Sequence, residues 1–148
     1  MAESRKALPQ PTEETLPYWE ACRREELQLQ FCNDCGRYYF YPRPLCRWCL
    51  SRNTEWRRVS GRGRLHTHVV NHRPARGFDD EVPYVLAIIE LDEGPRLMSN
   101  LTWVTFDRSV VPSALRREDG SEMKIDDAVQ VYFEKVNEEI TLPKFRPA

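Results

Sequence analysis

Four of the five cysteines in this 148-residue chain form two Cys-x-x-Cys pairs, Cys32 with Cys35 and Cys46 with Cys49. Two intervening residues let one short turn present both sulfurs of a pair to a single ion. Two such turns complete the tetrahedral thiolate shell that Zn²⁺ prefers, and this shell leaves no position for water or substrate. The spacing therefore predicts one structural zinc ion with a small ribbon folded around it.

The alternatives for these cysteines are a pair of disulfides or free buried thiols. Neither a signal peptide nor a membrane-spanning run precedes the site, so we expect a reducing cytoplasm, where disulfides are disfavoured. Cys22 lacks a partner at this spacing and is expected to be a small buried hydrophobe. Gly36 follows the first pair and can adopt a positive φ. Leu50 holds the equivalent place after the second pair, so we expect a tighter or differently shaped turn there.

The charge of the chain is unevenly distributed. Residues 32–76 contain ten arginines and no lysine against two acidic residues, a net charge of +8, so the remainder is −9 because the whole chain is −1. Arginine favours planar, bidentate contacts to phosphate or carboxylate groups. The alternative is a solvated surface on which these arginines pair with the acidic remainder. A hydrophobic content of 41% is typical of one or two small globular domains.

The N-terminal quarter of the chain predicts a tail, a helix and a strand. Residues 1–14 are polar and suggest a flexible tail. A short helix follows, with Thr12 or Thr15 as its cap and with Leu16, Trp19 and Cys22 on one face. Because so short a helix is marginal alone, it must dock, and we expect part of this face to contact another protein. Alternating residues at 26–32 predict the first ribbon strand, and segments 37–44 and 55–61 supply the others.

From Val59 onward the pattern is that of β-strands. Segment 59–72 predicts one long strand, 82–104 predicts two strands joined by a turn at 92–94, and 128–145 predicts a hairpin. The apolar run from Val85 to Ile89 is expected to be buried on both faces. Five strands, with 102–124 as a long connection, favour a small OB-type barrel. A β-sandwich, which needs about seven strands, is the second choice.

Four segments together resemble the landmarks of the DUF35 family: LPYWEACRREELQLQFCNDCGRYYFYPRPLCRWCL, VSGRGRLHTHVVNH, PYVLAIIELDEGPRLMSNL and ITLPKFRP. The resemblance implies a mainly β protein with an N-terminal tail and helix (1–29), a rubredoxin-like zinc ribbon (30–58) and a C-terminal five-stranded OB-fold barrel (59–148). It further implies a small acyl-CoA-associated subunit beside a thiolase-like, aldolase-like or hydratase-like enzyme. Leu50 and the long 102–124 connection depart from the family pattern.

Three functional hypotheses compete. The first is a non-catalytic subunit that binds CoA or acyl-CoA and docks on a partner enzyme, with a thiolase-like enzyme as the first choice and an aldolase or hydratase as the alternatives. Its predicted ligand contacts are Arg43, Arg62 and Arg64 for phosphates and Tyr39 and Trp48 for adenine. The second is a single-stranded nucleic-acid binder, since OB folds and zinc ribbons both bind strands. Residues 77–148 contain only eight basic residues among many more acids, which disfavours a strand-binding groove along the barrel.

A free-standing enzyme is the third and weakest hypothesis, because the sequence has no GxSxG, HExxH or phosphate-cradling glycine loop. His66 and His68 lie two apart on a predicted strand and would share one face, as would His72. They are candidates for a second metal site or an acid–base pair, with a polar strand face as the default. The acidic run at 79–81 is expected to be solvated.

Overall fold

The computed structural model describes residues 6–110 and 113–148. These residues form one helix and eleven strands: α1 (Leu16–Arg23), β1 (Gln28–Cys32), β2 (Arg37–Tyr39), β3 (Thr54–Arg58), β4 (Arg62–Asn71), β5 (Tyr84–Leu91), β6 (Arg96–Leu101), β7 (Thr105–Asp107), β8 (Ala114–Arg116), β9 (Glu122–Met123), β10 (Ala128–Lys135) and β11 (Thr141–Pro147). Within these two ranges, no helix has both the length and the apolar character needed to cross a membrane.

The cysteine-bearing segment forms the predicted ribbon, an antiparallel sheet in the order β2-β1-β3. Gln30, in the central strand, is buried and fixes the loop between the two cysteine pairs. Its Nε2 donates to the Arg43 carbonyl at 2.9 Å, and its Oε1 accepts from the Arg43 N–H at 2.7 Å. A buried amide is stable only when both of its ends are bonded, so this pairing explains a polar side chain in the ribbon interior.

The C-terminal strands close into the predicted five-stranded barrel, in the order β10-β11-β6-β5-β4. Closure is completed where β11 meets β6 in parallel at the Phe145–Leu101 pair. The interior is filled by fully buried side chains from four of the strands: Leu65, Ile89, Leu91, Val129 and Phe145. Alternating inward residues on every strand produce this core, as expected for a small barrel.

The run from Val85 to Ile89 differs from the prediction. Val85, Ala87 and Ile89 are buried in the barrel, but Leu86 and Ile88 lie on its outer face and are only partly buried. No layer of the described chain covers that face completely, so the strand is buried on one side only.

The 102–124 connection contains a small sheet of its own, in the order β7-β8-β9, which sequence analysis did not predict. These strands are two or three residues long, too short to show a clear alternation. Leu115 and Met123 on this sheet are buried and belong to the main hydrophobic core. The connection is therefore packed onto the barrel.

The helix exists as predicted but buries a different face. Tyr18, Ala21 and Cys22 are buried, whereas Leu16 is 44% exposed and Trp19 is only partly covered. The helix packs against β1 and β11 of its own chain. Cys22 is buried within the chain as predicted, whereas Leu16 and Trp19 of the same predicted face stay exposed or partly exposed, and the contact of this face with another protein remains a prediction.

The predicted flexible tail is described only in part, since residues 1–5 lie outside the described ranges. From Lys6 onward the tail contacts the loop after β4. The Lys6 ammonium lies 4.9 Å from the centroid of the Phe78 ring and pairs with Glu81. This pairing also gives the acidic run at 79–81 one internal contact.

Candidate metal centre and ligand cleft

The four predicted cysteines meet at one point, with their Sγ atoms all within 4.8 Å of one another. The sulfurs of Cys32 and Cys49 are 3.5 Å apart, and those of Cys35 and Cys46 are 3.6 Å apart. A tetrahedron with Zn–S bonds of about 2.3 Å has edges of about 3.8 Å, so these separations fit a Zn²⁺ ion at the centre. They are too long for disulfides, whose sulfurs lie about 2.05 Å apart.

The two turns that carry the cysteines have the same shape. The Gly36 N–H donates to the Cys32 carbonyl at 2.9 Å, and the Leu50 N–H donates to the Cys46 carbonyl at the same distance. Gly36 has φ +70° and Leu50 has φ +63°. The expectation of a differently shaped second turn was therefore wrong, because Leu50 adopts the left-handed conformation that glycine adopts more easily.

The surroundings shift the pKa values of Cys35 and Cys46 in opposite directions. Burial raises the pKa of Cys35 to about 12, and hydrogen bonds from the neighbouring thiols add to this shift. Burial also opposes ionisation of Cys46, but the N–H groups of Cys49 and Trp48 point at its sulfur and bring its pKa down to about 7. Zinc binds thiolates, so a bound ion would displace the remaining protons from the cluster. The backbone N–H groups of the second turn thus favour the thiolate form of Cys46.

Replacing Leu50 with glycine should stabilise the ribbon slightly. The left-handed conformation costs a leucine about 1–2 kcal/mol, and glycine recovers this minus its own entropy cost of about 0.5–1 kcal/mol. Leu50 is 70% exposed, so little packing is lost. We expect a gain of about 0.5 kcal/mol in urea unfolding of the zinc-loaded protein. A loss above about 1 kcal/mol would instead indicate that the leucine side chain stabilises the turn.

A cleft of about 540 Å³ lies between the ribbon and the barrel. One wall comes from the two cysteine turns and β2, and the other from the β5–β6 hairpin. Side chains on the ribbon wall include Arg37, Arg47 and Trp48, and those on the barrel wall include Glu90, Glu93 and Arg96. The cleft thus joins the arginine-rich segment to the acidic remainder of the chain.

Trp48 is the exposed aromatic of the ribbon wall, with 51% of its surface open to solvent. Its indole N–H donates to the Tyr38 carbonyl at 3.3 Å, which fixes the plane of the ring. The guanidinium carbons of Arg37 and Arg47 lie 5.1 Å and 4.8 Å from the ring centroid. Within the described chain, neither arginine forms a salt bridge, so both cations are held by the aromatic ring alone.

The barrel wall continues into a row of charges on the outer face of β4, β5 and β6. Glu90 accepts from Arg96 at 2.8 Å and from Arg64 at 3.2 Å, so one carboxylate serves two guanidinium groups. The hydrogen bond from Arg96 is the largest cause that lowers the pKa of Glu90, and Arg64 adds to the effect. The row therefore carries an excess positive charge beside the cleft.

The predicted ligand residues differ in how close they lie to the cleft. Trp48 is in the cleft wall, and Arg64 borders it through Glu90. Arg62 lies one outward position further along β4, 4.0 Å from Asp92. Arg43 is exposed on the loop fixed by Gln30 and is not among the residues that line the cleft.

Tyr39 does not fit its predicted role as a stacking surface. The residue is 2% exposed, and its hydroxyl donates to the Arg43 carbonyl at 3.2 Å. Burial is the main cause that raises its pKa. Its ring belongs to the ribbon core, so Trp48 alone of the two predicted aromatics presents a face to a ligand.

Five charged residues of the cleft were not predicted from the sequence: Arg37, Arg47, Glu90, Glu93 and Arg96. The first two had a usable signal, because each lies within or directly after a Cys-x-x-Cys turn of known geometry. No local pattern indicated that the β5–β6 hairpin would face the ribbon. That placement depends on how the two folded units pack.

The histidine pair is separated by a β-bulge between Leu65 and Thr67, which places His66 at the irregularity and His68 opposite Ala87. Since Ala87 faces the core, His68 turns inward, and burial lowers its pKa. Within the described residues, the four cysteines are the only cluster of three or more metal-binding side chains. A second metal site on β4 is therefore not supported.

A second, smaller depression lies beside the helix. It is lined by Trp19, Tyr41, Met98 and Pro143, from the helix, the ribbon and the barrel. Met98 is 68% exposed, and Trp19 packs edge-on against the buried Tyr18 ring, with 4.9 Å between centroids. We call this surface the helix groove.

The fold and the cysteine site define a protein in which a zinc ribbon is joined to an OB-fold barrel. The chain belongs to the DUF35 family: the family model for the ChsH2 C-terminal OB-fold domain matches residues 56–134, and that for the ChsH2 rubredoxin-like zinc ribbon matches residues 19–55. The predicted family and fold are thereby confirmed.

Known relatives and a solved structure agree with this assignment. A DUF35 domain-containing scaffold protein of Methanothermobacter thermautotrophicus is 33% identical over 128 residues, which cover 85% of this chain and 86% of the relative. A probable enoyl-CoA hydratase alpha subunit of Thermomonospora curvata is 30% identical over 131 residues; the match covers 88% of this chain but only 36% of that protein. The Ltp2-ChsH2(DUF35) aldolase structure superposes with a TM-score of 0.75 at 28% identity, covering 95% of this chain and 98% of that one.

Proposed function

We propose that this chain is a non-catalytic subunit that binds CoA or acyl-CoA and docks on an acyl-CoA enzyme of the thiolase, aldolase or hydratase type. Relatives named as a scaffold protein and as a hydratase subunit, and a solved complex named as an aldolase, support the partner class. The observation that supports CoA as the ligand is the cleft in which Trp48 lies beside two arginines that form no salt bridge within the described chain.

The chemistry of the cleft suits CoA. An exposed indole offers a stacking face for adenine, and base stacking on aromatic rings contributes about 1–3 kcal/mol. Arg37 and Arg47 lie over the indole and form no salt bridge within the described chain, so on binding their guanidinium groups can turn from the ring to the phosphates in bidentate geometry. A volume of about 540 Å³ is in the range of small-molecule sites. Arg64, on the adjoining charge row, adds attraction for a polyanion.

The helix groove is the surface we assign to the partner. Partly exposed tryptophan, tyrosine and methionine side chains are enriched at protein interfaces, and a few such anchors supply most of the binding energy. Since the four thiolates would close the zinc shell, we assign the chemical step to the partner. We likewise keep a cytoplasmic location as a prediction, because a four-thiolate site needs reducing conditions.

The double substitution of Arg37 and Arg47 with alanine tests the ligand proposal. We expect CoA affinity, measured by calorimetry, to fall at least about tenfold, because two charge-assisted contacts are lost. Substitution of the exposed Arg23 and Arg24 removes the same charge outside the cleft and should leave the affinity within about twofold. Equal effects of the two double variants, or no binding of CoA by the wild-type protein, would contradict the proposal.

Single-stranded nucleic acid is the competing ligand, because stacked aromatics and arginines also bind bases and phosphates. The same calorimetry with a single-stranded oligonucleotide should show weak binding that falls steeply with salt. Tight, salt-resistant binding of the oligonucleotide without any response to CoA would favour this second function.

A further inference from the structure

Glu93 has a feature that its place in the fold does not explain. It lies in the turn between β5 and β6 and forms part of the barrel wall of the cleft. Its Oε1 accepts a hydrogen bond from the Ser60 N–H at 2.8 Å. Its Oε2 is buried and has no hydrogen-bond partner among the described residues. A carboxylate with one oxygen bonded and the other buried without a donor is uncommon in a folded protein.

The cations of the cleft do not supply the missing donor. Arg96 directs its Nε to Glu90 at 2.8 Å, and Arg37 and Arg47 stack on Trp48. The Ser60 bond holds the carboxylate in one orientation, so the second oxygen remains a buried, unbonded acceptor on a residue that lines the cleft. A ligand that places an N–H group there would satisfy it, whereas a phosphate or a carbonyl oxygen would be repelled.

We infer that Glu93 accepts a hydrogen bond from the 6-amino group of adenine while Trp48 stacks on the base, and that it thereby selects the adenine nucleotide end of the ligand. This inference rests on the proposed CoA site. The exocyclic amine is the donor on the Watson–Crick edge of adenine, and guanine and hypoxanthine present an oxygen at the same position. Arg37 and Arg47, which form no salt bridge within the described chain, can then turn from the indole to the phosphates.

The geometry also indicates what must move. Because the Oε2 atom is covered by its neighbours, the base reaches it only if exposed side chains of the cleft wall shift on binding. Arg37 and Arg47 form no salt bridge within the described chain, so they can reorient toward phosphates without breaking an ion pair. Glu93 is a specificity-determining residue on this account.

The experiment compares CoA with 1,N6-etheno-CoA, in which the amino nitrogen is part of an added ring and cannot donate. Calorimetry on the full chain, loaded with zinc, measures both ligands with wild-type protein and with Glu93→Gln. The glutamine keeps an oxygen for the Ser60 N–H but places an NH₂ group where the Oε2 acceptor was. Glu118→Gln, at an exposed site outside the cleft, is the matched control for charge.

We expect wild-type protein and Glu118→Gln to bind CoA at least about tenfold more tightly than etheno-CoA. In Glu93→Gln, CoA affinity should fall about tenfold and the preference should shrink to about twofold or less. If wild-type protein binds both ligands equally, or if Glu93→Gln keeps the full preference, the inference fails and the CoA site stands. If neither ligand binds wild-type protein, both are overturned. Melting curves of each variant report whether folding is intact.

Discussion

Replacing Cys32 or Cys46 with serine is expected to unfold the zinc ribbon and to render much of the protein insoluble. Both sulfurs are fully buried in the cluster, and each supplies one of four metal ligands. A structural zinc site contributes on the order of 10 kcal/mol, comparable to the whole stability of a small domain. The ribbon core beside the metal consists of little more than Tyr39 and the cysteines, so nothing else can replace that energy.

Zinc content by mass spectrometry and the melting curve check this result together. Wild-type protein should carry one zinc per chain and lose its cooperative melt when a strong chelator removes the metal. Cys22→Ala is the matched control, because Cys22 is buried in the main core away from the cluster. It should lower stability by about 1–2 kcal/mol and retain the zinc. A metal-free protein with an unchanged melting curve would contradict the prediction.

The second large effect is expected from Gly63→Ala, at the start of the barrel. A Cβ at this position would lie 2.4 Å from the backbone carbonyl oxygen of Glu90 on the neighbouring strand. Neither strand can move aside without disturbing the β4–β5 ladder, so we expect a loss of about 3 kcal/mol or more in urea unfolding. Because Arg64 and Glu90 form the charge row on these strands, the cleft should be perturbed as well.

Gly120→Ala is the control for this substitution. Gly120 has φ +84° and no atom within 4 Å of the added methyl group, so only backbone strain of about 1 kcal/mol is expected. If the positive φ alone decided the cost, Gly120→Ala would be the more destabilising of the two substitutions. The close contact with the neighbouring strand predicts instead that Gly63→Ala is the more destabilising. If Gly63→Ala is no more destabilising than Gly120→Ala, the close approach of β4 and β5 is wrong.

The parts of the fold set by short-range pattern were predictable. The zinc ligands follow from cysteine spacing, because a two-residue separation allows only a narrow set of turn geometries. The barrel strands follow from alternating residues, and the Asp92–Gly94 turn was predicted in its correct place, between β5 and β6. Trp48, which was proposed as a stacking surface for adenine, is exposed in the cleft wall, but its contact with a ligand remains a prediction.

The remaining features depend on contacts between distant segments. The buried face of the helix is set by β1 and β11, which receive Tyr18 and Cys22 in place of Leu16 and Trp19. The cleft exists because the β5–β6 hairpin lies against the ribbon, and no local sequence pattern reports such packing. Tyr39 was assigned to the ligand on composition alone, but a tyrosine in a small ribbon is also the largest side chain available for its core.

The central claim, that the chain is a subunit of an acyl-CoA enzyme, is tested most directly by isolating the protein from its own cells and identifying what copurifies by mass spectrometry. We predict a thiolase-, aldolase- or hydratase-type enzyme that is retained by wild-type protein and by Trp48→Ala but is lost by Trp19→Ala, with zinc content and folding preserved in both variants. Trp19 borders the helix groove and Trp48 lies in the cleft, so the two substitutions separate partner docking from ligand binding. Recovery of nucleic-acid-processing proteins and no acyl-CoA enzyme would contradict the account.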